Sequence, residues 1–427
     1  MVRPSTLDRV SARAPSPGTP AAGRRSAALD GLRGIAALSV FGFHAWLYTL
    51  PAVRAAAGRG AFPGALFAEL RVGLVLFFVL SGFLLFRPWV AARSDPARTP
   101  RTAVYGLHRL ARIVPAYYVA ILGSVILLWP LAGEPGVRLP PLAQLPLFLV
   151  FAQNLSPQTV LTLDPPMWTL AVEAAFYVVL PLLGWLALRS GATRARQALV
   201  PCAAIAGGLL FNALLARQEV PGQTLAKSLP AMLPYFALGM LAAVLIDRRT
   251  PSRRLAAGLL AAGLVLVVAD GWLHAHAIAG SGAALRLRII RDLPAAVGFA
   301  AIVAVVSARP PRALGWRPLA WVGGISYGLY LWHVPALLVL RADGLMPVSP
   351  LGAFAVGLPL SLLLGWLSWR FVEAPAIAWS RRTSLLGAAV SRPAPRTART
   401  VPARTRSTVP ASRPALPREA APPSAPR

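Results

Sequence analysis

Cysteine, lysine and acidic side chains are scarce in this chain of 427 residues. There is one cysteine, Cys202, and one lysine, Lys227, while Asp and Glu number 14 against 43 Lys and Arg. A single cysteine excludes an intrachain disulfide, and no cysteine cluster offers a metal site, so no metal is expected. The formal net charge of +29 would suggest nucleic-acid binding in a soluble protein.

Charged residues make up only 13% of the chain, whereas 56% of the residues are hydrophobic and the mean hydropathy is +0.60. Soluble domains carry about 25% charged residues. The arginines cluster in loops and tails between long apolar runs, which fits membrane topology better than a nucleic-acid partner. The predicted fold class is therefore all-α, a polytopic transmembrane helical bundle in the lipid bilayer.

The apolar runs divide the chain into a membrane domain with two polar tails. We predict a disordered cytoplasmic leader at 1–28, an integral-membrane domain at 29–379 and a disordered cytoplasmic tail at 380–427, which is rich in Pro, Ala and Arg. Residues 142–153 are too short to cross and are predicted to be re-entrant or interfacial. Ten spans are predicted, at about 29–50, 66–86, 112–131, 167–188, 198–215, 230–246, 255–273, 289–307, 319–340 and 352–372.

The distribution of arginine predicts the orientation of these spans. Six arginines follow the second span, whereas the loop after the third span contains Arg138 alone. The positive-inside rule then places both termini in the cytoplasm of a multi-pass protein of the inner cell membrane. The segment 274–291 fits least well, because it would carry Arg286, Arg288 and Arg291 to the outer side.

The first span carries two ionisable residues, Arg33 and His44, eleven positions apart. Eleven residues at about 100° each place both side chains on one helix face, with a rise between them of roughly 16 Å. If Arg33 lies at one membrane surface, His44 lies near the midplane. An ionisable residue at that depth faces a bundle interior or a cavity, so His44 is either a functional group or a buried structural histidine.

Other polar residues in or beside the spans have both a functional and a structural interpretation. Arg109 and Arg112 share a helix face and could clamp phosphate, but positively charged loops also anchor spans on the inner side. Glu173 lies inside the fourth span and needs a partner there, in a functional site or in an ion pair that fixes helix packing. In the ninth span, Tyr330 and the second intramembrane histidine, His333, share one face with Ser326.

Six motifs in order give the chain a family resemblance. They are LDGLRGIAALSVFGFHAW, FFVLSGFLL, HRLARIVPAYY, MWTLAVEAAFYVVLPLL, ISYGLYLWH and WRFVEAP. The chain resembles the acyltransferase 3 family of membrane acyltransferases from about residue 29 to 375. One departure is Ala174, which follows Glu173 where many members have a second acidic residue. An added extracytoplasmic hydrolase-like domain is not expected, because the chain past residue 382 is too polar and too rich in proline to fold.

The resemblance implies transfer of an acyl group, with acetyl expected, from cytoplasmic acyl-CoA to a hydroxyl of a cell-envelope carbohydrate or a secreted metabolite. It implies no permanently bound cofactor, since acyl-CoA is the donor substrate. A neutral histidine can take the proton of an attacking hydroxyl, so His44 is the expected general base, and Glu173 orients a partner. The expected donor ligands are Arg33, Arg109 and Arg112, and the expected substrate-lining residues are Ser81, Trp168, Tyr327, Tyr330 and His333.

Two other classes of function remain open from the residues alone. In a proton-coupled transporter or a flippase of a lipid-linked glycan, His44, Glu173 and His333 would form a proton or substrate path. Inverted repeats would favour that class, and the sequence shows none. The second class is a catalytically silent membrane scaffold. The order of the family motifs argues against both.

Overall fold

The computed structural model describes residues 20–50, 64–190, 193–217, 223–276, 290 and 292–390. Of these, the residues up to Thr383 form one compact unit, and the residues from Ser384 onward do not belong to it. Most of the predicted leader and tail therefore lies outside the described residues, as does most of the segment 274–291. Within the leader's predicted range, the first helix already begins at Pro20.

The described chain is a succession of helices, so the predicted all-α class is confirmed. The helices are α1 (Pro20–Leu47), α2 (Gly73–Ala92), α3 (Thr102–Leu128), α4 (Trp168–Arg189), α5 (Arg194–Ala216), α6 (Leu229–Ile246), α7 (Arg253–His276), α8 (Leu293–Ala308), α9 (Arg317–Gly324), α10 (Ser326–Ala342), α11 (Pro350–Ser368) and α12 (Ala374–Val390). Short helical turns occupy Gly64–Glu69, Leu70–Val72, Pro96–Arg98, Leu142–Gln144, Pro146–Leu149, Gln153–Leu155, Pro165–Met167, Gln223–Ala226 and, as a π-turn, Trp369–Glu373.

Seven helical segments in the described part of the chain are long and apolar enough to cross a membrane, or eight if the bent pair α9 and α10 is one span. The chain is therefore a multi-pass membrane protein, although the count is lower than the ten spans predicted. A helix occupies each of the ten predicted positions. The count falls short because α1 carries Asp30, Arg33 and His44 within its apolar run, and α8 has only 16 residues.

Close helix packing through small residues holds the centre of the bundle. Helices α2 and α6 cross so tightly that a Cβ atom at Gly82 would overlap the carbonyl oxygen of Phe236, and one at Gly239 would overlap that of Val79. Phe83 and Phe236 are fully buried in the core around this crossing. In a bilayer the lipid tails are as apolar as leucine side chains, so helices gain little from burying apolar surface. Close contact between the two helix backbones then supplies much of the packing energy.

The ninth and tenth spans are not the regular, separate helices that were predicted, and both departures lie near the site. The predicted ninth span bends by 75° at Ile325, between α9 and α10, so it is not one continuous helix. Helix α9 is pressed against α1, because a Cβ atom at Gly323 would overlap the carbonyl oxygen of Asp30. The tenth span continues through the π-turn into α12, past the predicted domain boundary at 379.

Candidate active site

Helices α1, α2, α3, α4 and α10 enclose a cavity of about 300 Å³. Its size is at the lower end of ordinary small-molecule sites. Leucine and phenylalanine side chains of α2 form much of its apolar wall. Its polar lining consists of Arg33, Ser81, Arg109, Arg112, Thr169, Glu173, Tyr177, Ser326, Tyr327 and Tyr330.

The charge of this lining favours an anion. Three guanidinium groups, those of Arg33, Arg109 and Arg112, face one carboxylate, that of Glu173, so the formal charge of the lining is 3 − 1 = +2. Arg109 and Arg112 share a face of α3, and the buried Nε of Arg109 has no hydrogen-bond partner among the described residues. Helix α10 begins at Ser326, so its positive end lies at the same cavity. Guanidinium groups at a helix N-terminus suit phosphate oxygens.

Glu173 reaches the cavity from α4 and has a hydroxyl as its hydrogen-bond partner. The Ser81 hydroxyl donates to Glu173 Oε1 at 2.7 Å. Arg33 is within electrostatic range of the same carboxylate. The carboxylate is thereby fixed by α2 while it offsets part of the positive charge that α1 and α3 bring together.

Two histidines meet between α1 and α10. His44 Nδ1 lies 3.1 Å from His333 Nε2, and the ring centroids are 4.9 Å apart at an angle of 64°. His44 Nδ1 is also 2.9 Å from the carbonyl oxygen of Val40. His333, which is 1% exposed, places Nδ1 2.8 Å from the carbonyl oxygen of Tyr330. The two intramembrane histidines of the sequence therefore form a hydrogen-bonded pair.

These contacts determine the tautomer of each neutral imidazole. A carbonyl oxygen only accepts, so His333 Nδ1 carries a proton and donates it to Tyr330. His333 Nε2 is then an acceptor, and His44 Nδ1 must be the donor to it and to Val40. The remaining nitrogen, His44 Nε2, keeps its lone pair and is able to accept a proton.

Tyr330 separates the cavity from the histidine pair. Its hydroxyl is 2.7 Å from Thr169 Oγ1 and donates to the carbonyl oxygen of Pro166 at 3.0 Å. Its ring lines the cavity on one side and lies 5.7 Å from the His333 ring on the other. Neither His44 nor His333 lines the cavity, so one tyrosine side chain stands between the arginine-rich space and the candidate base.

Most of the residues expected in the site come together in this arrangement. The cavity lining includes Arg33, Ser81, Arg109, Arg112, Glu173, Tyr327 and Tyr330, with His44 and His333 behind it. Trp168 is the exception and does not line the cavity. It lies five positions before Glu173, which turns its side chain by about 140° around α4 relative to that of Glu173. Lys227 Nζ lies 5.4 Å from the centre of its ring.

Sequence reasoning missed a second carboxylate near the arginines, that of Glu373. It is 2% exposed in the π-turn, accepts a hydrogen bond from Ser368 at 3.4 Å and is within electrostatic range of Arg112 and Arg33. π-turns occur frequently at functional sites. The signal available in the sequence was a lone acidic residue in an apolar run, the same signal that singled out Glu173.

Asp164, in the loop before α4, was also missed. Its side chain is 1% exposed, and neither carboxylate oxygen has a hydrogen-bond partner among the described residues. Burial raises the pKa of this carboxyl well above its usual range. The preceding residue, Leu163, has a φ of 62°, which is uncommon for a non-glycine residue. Asp164 is within electrostatic range of the Tyr330 hydroxyl, so it belongs to the surroundings of the site.

Comparison with known proteins points to one family. A family model described as an acyltransferase domain matches residues 26–370. YrhL of Bacillus subtilis is 26% identical over 380 residues, which cover 81% of this chain and 54% of that protein. The O-acetyltransferase OatA of Staphylococcus aureus is 24% identical over 389 residues, which cover 81% of this chain and 56% of that protein. The peptidoglycan O-acetyltransferase OatA of Listeria monocytogenes is 23% identical over 378 residues, which cover 81% of this chain and 55% of that protein.

The chain thus spans about half the length of the curated relatives it matches. No solved structure matches it at a significant level.

Proposed function

The chain belongs to the acyltransferase 3 family, and on that premise we propose that it is a membrane O-acyltransferase that moves an acetyl group from acyl-CoA to a hydroxyl of a cell-envelope glycan. The observation that carries the proposal is the arginine-rich cavity that ends at Tyr330, directly beside the histidine pair. The relatives named O-acetyltransferases support the acetyl group, and the word peptidoglycan in two of those names, that of YrhL and that of the Listeria protein, supports a glycan acceptor. Nothing favours the transporter or flippase alternative.

The three arginines are the proposed donor site. Arg33, Arg109 and Arg112 give the cavity its positive charge, and the orphaned Nε of Arg109 offers a hydrogen bond to a phosphate oxygen. At about 300 Å³ the cavity holds part of an acyl-CoA molecule rather than the whole. We place phosphate oxygens at the arginines and the thioester arm along the apolar wall towards Tyr330.

His44 is the proposed general base. The acceptor oxygen forms a bond to the thioester carbonyl carbon while its proton moves to His44 Nε2. Breakage of the C–S bond then releases CoA thiolate, which takes that proton. While His44 is protonated, its Nδ1–H donates to His333 Nε2 and to the Val40 carbonyl, which stabilises the cation. His333 is therefore a positioning residue, and Tyr330 has to turn aside for the thioester to reach Nε2.

The test is acetyl transfer by the purified full chain, supplied with labelled acetyl-CoA and glycan acceptors. His44→Gln keeps hydrogen bonding and similar bulk but takes no proton at neutral pH, so kcat should fall by about 10²–10⁴-fold, as it should for His44→Ala. His108→Gln, on α3 outside the cavity lining, is the matched control. Activity of His44→Gln near wild type, per folded protein, would remove His44 as the base, and absence of transfer by the wild type would remove the proposed reaction.

A further inference from the structure

A second cluster of ionisable groups lies where α7 ends and α8 begins, and none of its residues lines the cavity. Asp270 and His274 are four residues apart on one face of α7, and Asp292 directly precedes α8. One ligand atom from each of the three lies within 4.8 Å of the others. We propose that Asp270, His274 and Asp292 form a divalent-metal site that joins the two helices, and that Zn²⁺ is the ion it binds.

Asp270 is the observation that requires a partner. The residue is 1% exposed, and neither of its carboxylate oxygens has a described partner of normal hydrogen-bond geometry, although the Ala295 backbone amide lies close. His274 Nδ1 is 3.5 Å from its Oδ2, too long for a strong hydrogen bond. Arg71 is within electrostatic range of Asp270, but its described hydrogen bonds go to Asp292 and Glu69. A buried carboxylate without a hydrogen bond of its own is costly unless it is paired directly with a cation or coordinates a metal.

His274 is held in the orientation of a metal ligand. Its Nδ1 is 2.9 Å from the carbonyl oxygen of Asp270, so Nδ1 carries the proton and Nε2 has the lone pair. Nε2 faces Asp292 Oδ1 at 3.8 Å, which brings two acceptors together without a hydrogen bond. Metal-binding histidines commonly donate their other N–H to a carbonyl in this way. Two ligands that are each about 2 Å from a shared Zn²⁺ have a comparable separation.

Arg71, in the short turn before α2, completes the surroundings. It donates to Asp292 Oδ1 and, at 3.3 Å, to Glu69 Oε2. A carboxylate that binds a metal is usually hydrogen-bonded by a second layer of side chains, and here Arg71 supplies that bond and connects the α7–α8 pair to the turn before α2. The competing explanation is an ion-pair network in which a protonated His274 bridges the two aspartates and no metal binds.

The chemical types of the three ligand atoms favour one metal ion. One imidazole nitrogen with two carboxylate oxygens suits Zn²⁺, whereas Ca²⁺ and Mg²⁺ take ligands that are all oxygen. Three protein ligands leave one tetrahedral position for water. The cysteine count of the sequence gave no indication of this site, because the site uses no thiol.

The experiment measures Zn²⁺ on the purified full chain without a histidine tag, after chelation and reloading. We expect one Zn²⁺ per chain, a higher thermal midpoint with Zn²⁺ than without it, and a visible absorption spectrum on Co²⁺ substitution. His274→Ala and Asp270→Asn should each weaken binding by at least about 10-fold. His108→Ala is the control and should bind like wild type.

Two results would overturn the proposal. Less than a tenth of an equivalent of Zn²⁺ on the reloaded wild type would favour the ion-pair network. Zn²⁺ binding that survives both substitutions would place the ion elsewhere. The Co²⁺ spectrum of the wild type tests the site even if a variant does not fold, because four-coordinate Co²⁺ held by protein ligands absorbs far more strongly in the visible than hydrated Co²⁺.

Discussion

At the scale of single residues, the pairing of His44 with His333 gives the second histidine a separate test. His333→Ala should lower kcat by about 10- to 100-fold and leave KM for acyl-CoA unchanged, since one hydrogen bond to a charged group is worth roughly 1.5–3 kcal/mol. In His333→Gln the side-chain oxygen can still accept from His44 Nδ1–H, so much of the loss should be recovered. Steady-state kinetics on both variants gives the comparison. Equal loss in both, with a changed KM, would indicate a substrate contact instead.

The arginine pair on α3 permits a test of the donor site. Arg109→Ala with Arg112→Ala should raise KM for acyl-CoA by about 10-fold or more, because each lost charged hydrogen bond costs roughly 1.5–3 kcal/mol. The matched control is the pair Arg98→Ala and Arg101→Ala, because both residues are exposed and lie in the loop that directly precedes α3. If the amount of inserted protein falls and KM does not change, the pair anchors α3 and does not bind the donor.

Asp164 should make stability depend on pH. Burial raises the pKa of its carboxyl in the folded protein, so the folded state binds the proton more tightly than the unfolded state does. The resulting contribution to the free energy of unfolding is fully present below the pKa of the unfolded state, about 3.9. It is lost as pH rises through the pKa of the folded state. Asp164→Asn removes this dependence, so the variant should be more stable than wild type at pH 8 and lose that advantage near pH 4. Thermal midpoints across this range measure the difference. A constant difference at all pH values would contradict the assignment.

At the scale of elements, the crossing of α2 and α6 should tolerate no side chain larger than glycine's. Gly82→Ala places a methyl group against the Phe236 carbonyl, and overpacking of this kind costs about 1–3 kcal/mol. Gly207→Ala is the matched control, because nothing lies within 4 Å of its Cβ position and alanine favours a helix by about 0.5–1 kcal/mol. Thermal midpoints of the two variants should therefore move in opposite directions. A stable Gly82→Ala variant would mean that the crossing is looser.

The helices themselves could be located from hydrophobicity, but their breaks could not. Apolar runs indicated a helix at every predicted position, because length and hydropathy are local properties. The bend at Ile325 depends on contact between Gly323 and Asp30 in α1, nearly 300 residues away along the chain. The π-turn at Trp369–Glu373 is followed by Pro375, which has no N–H to donate to the carbonyl of Phe371. A proline alone does not locate such a break, because Pro88 and Pro115 lie inside regular helices.

At the scale of the whole molecule, the orientation in the membrane remains our prediction. With both termini in the cytoplasm, reporter fusions at residues 195 and 222 should report opposite sides, because nearly all of α5 lies between them and its first turn carries Arg194 and Arg196 at the predicted inner end. Arg194→Glu with Arg196→Glu should weaken this preference. Reporters at 195 and 222 on the same side would show that α5 does not cross.

The sequence predicts which site residues share a face of one helix, but it does not predict which helices bring those residues together. Spacing on one helix associated Arg109 with Arg112 and Tyr330 with His333, since residues three apart share a face. Which helices meet is a property of the folded bundle, so the Ser81–Glu173 bond and the histidine pair became visible only in the structure. The same limitation applies to Trp168, which directly precedes the lining residue Thr169 but does not itself line the cavity.

The tyrosine between the cavity and the histidine pair has a consequence for the energy supply of the cell. A continuous water-filled path past polar groups would let protons leak down the electrochemical gradient, which is worth about 2.3 kcal/mol per charge at 100 mV. The Tyr330 hydroxyl is bonded to Thr169 and Pro166, and its ring stands between the cavity and the histidine pair. The enzyme we propose must therefore admit an acetyl thioester at a point where it has to exclude protons, and the thioester arm that replaces the tyrosine ring would itself limit the entry of water.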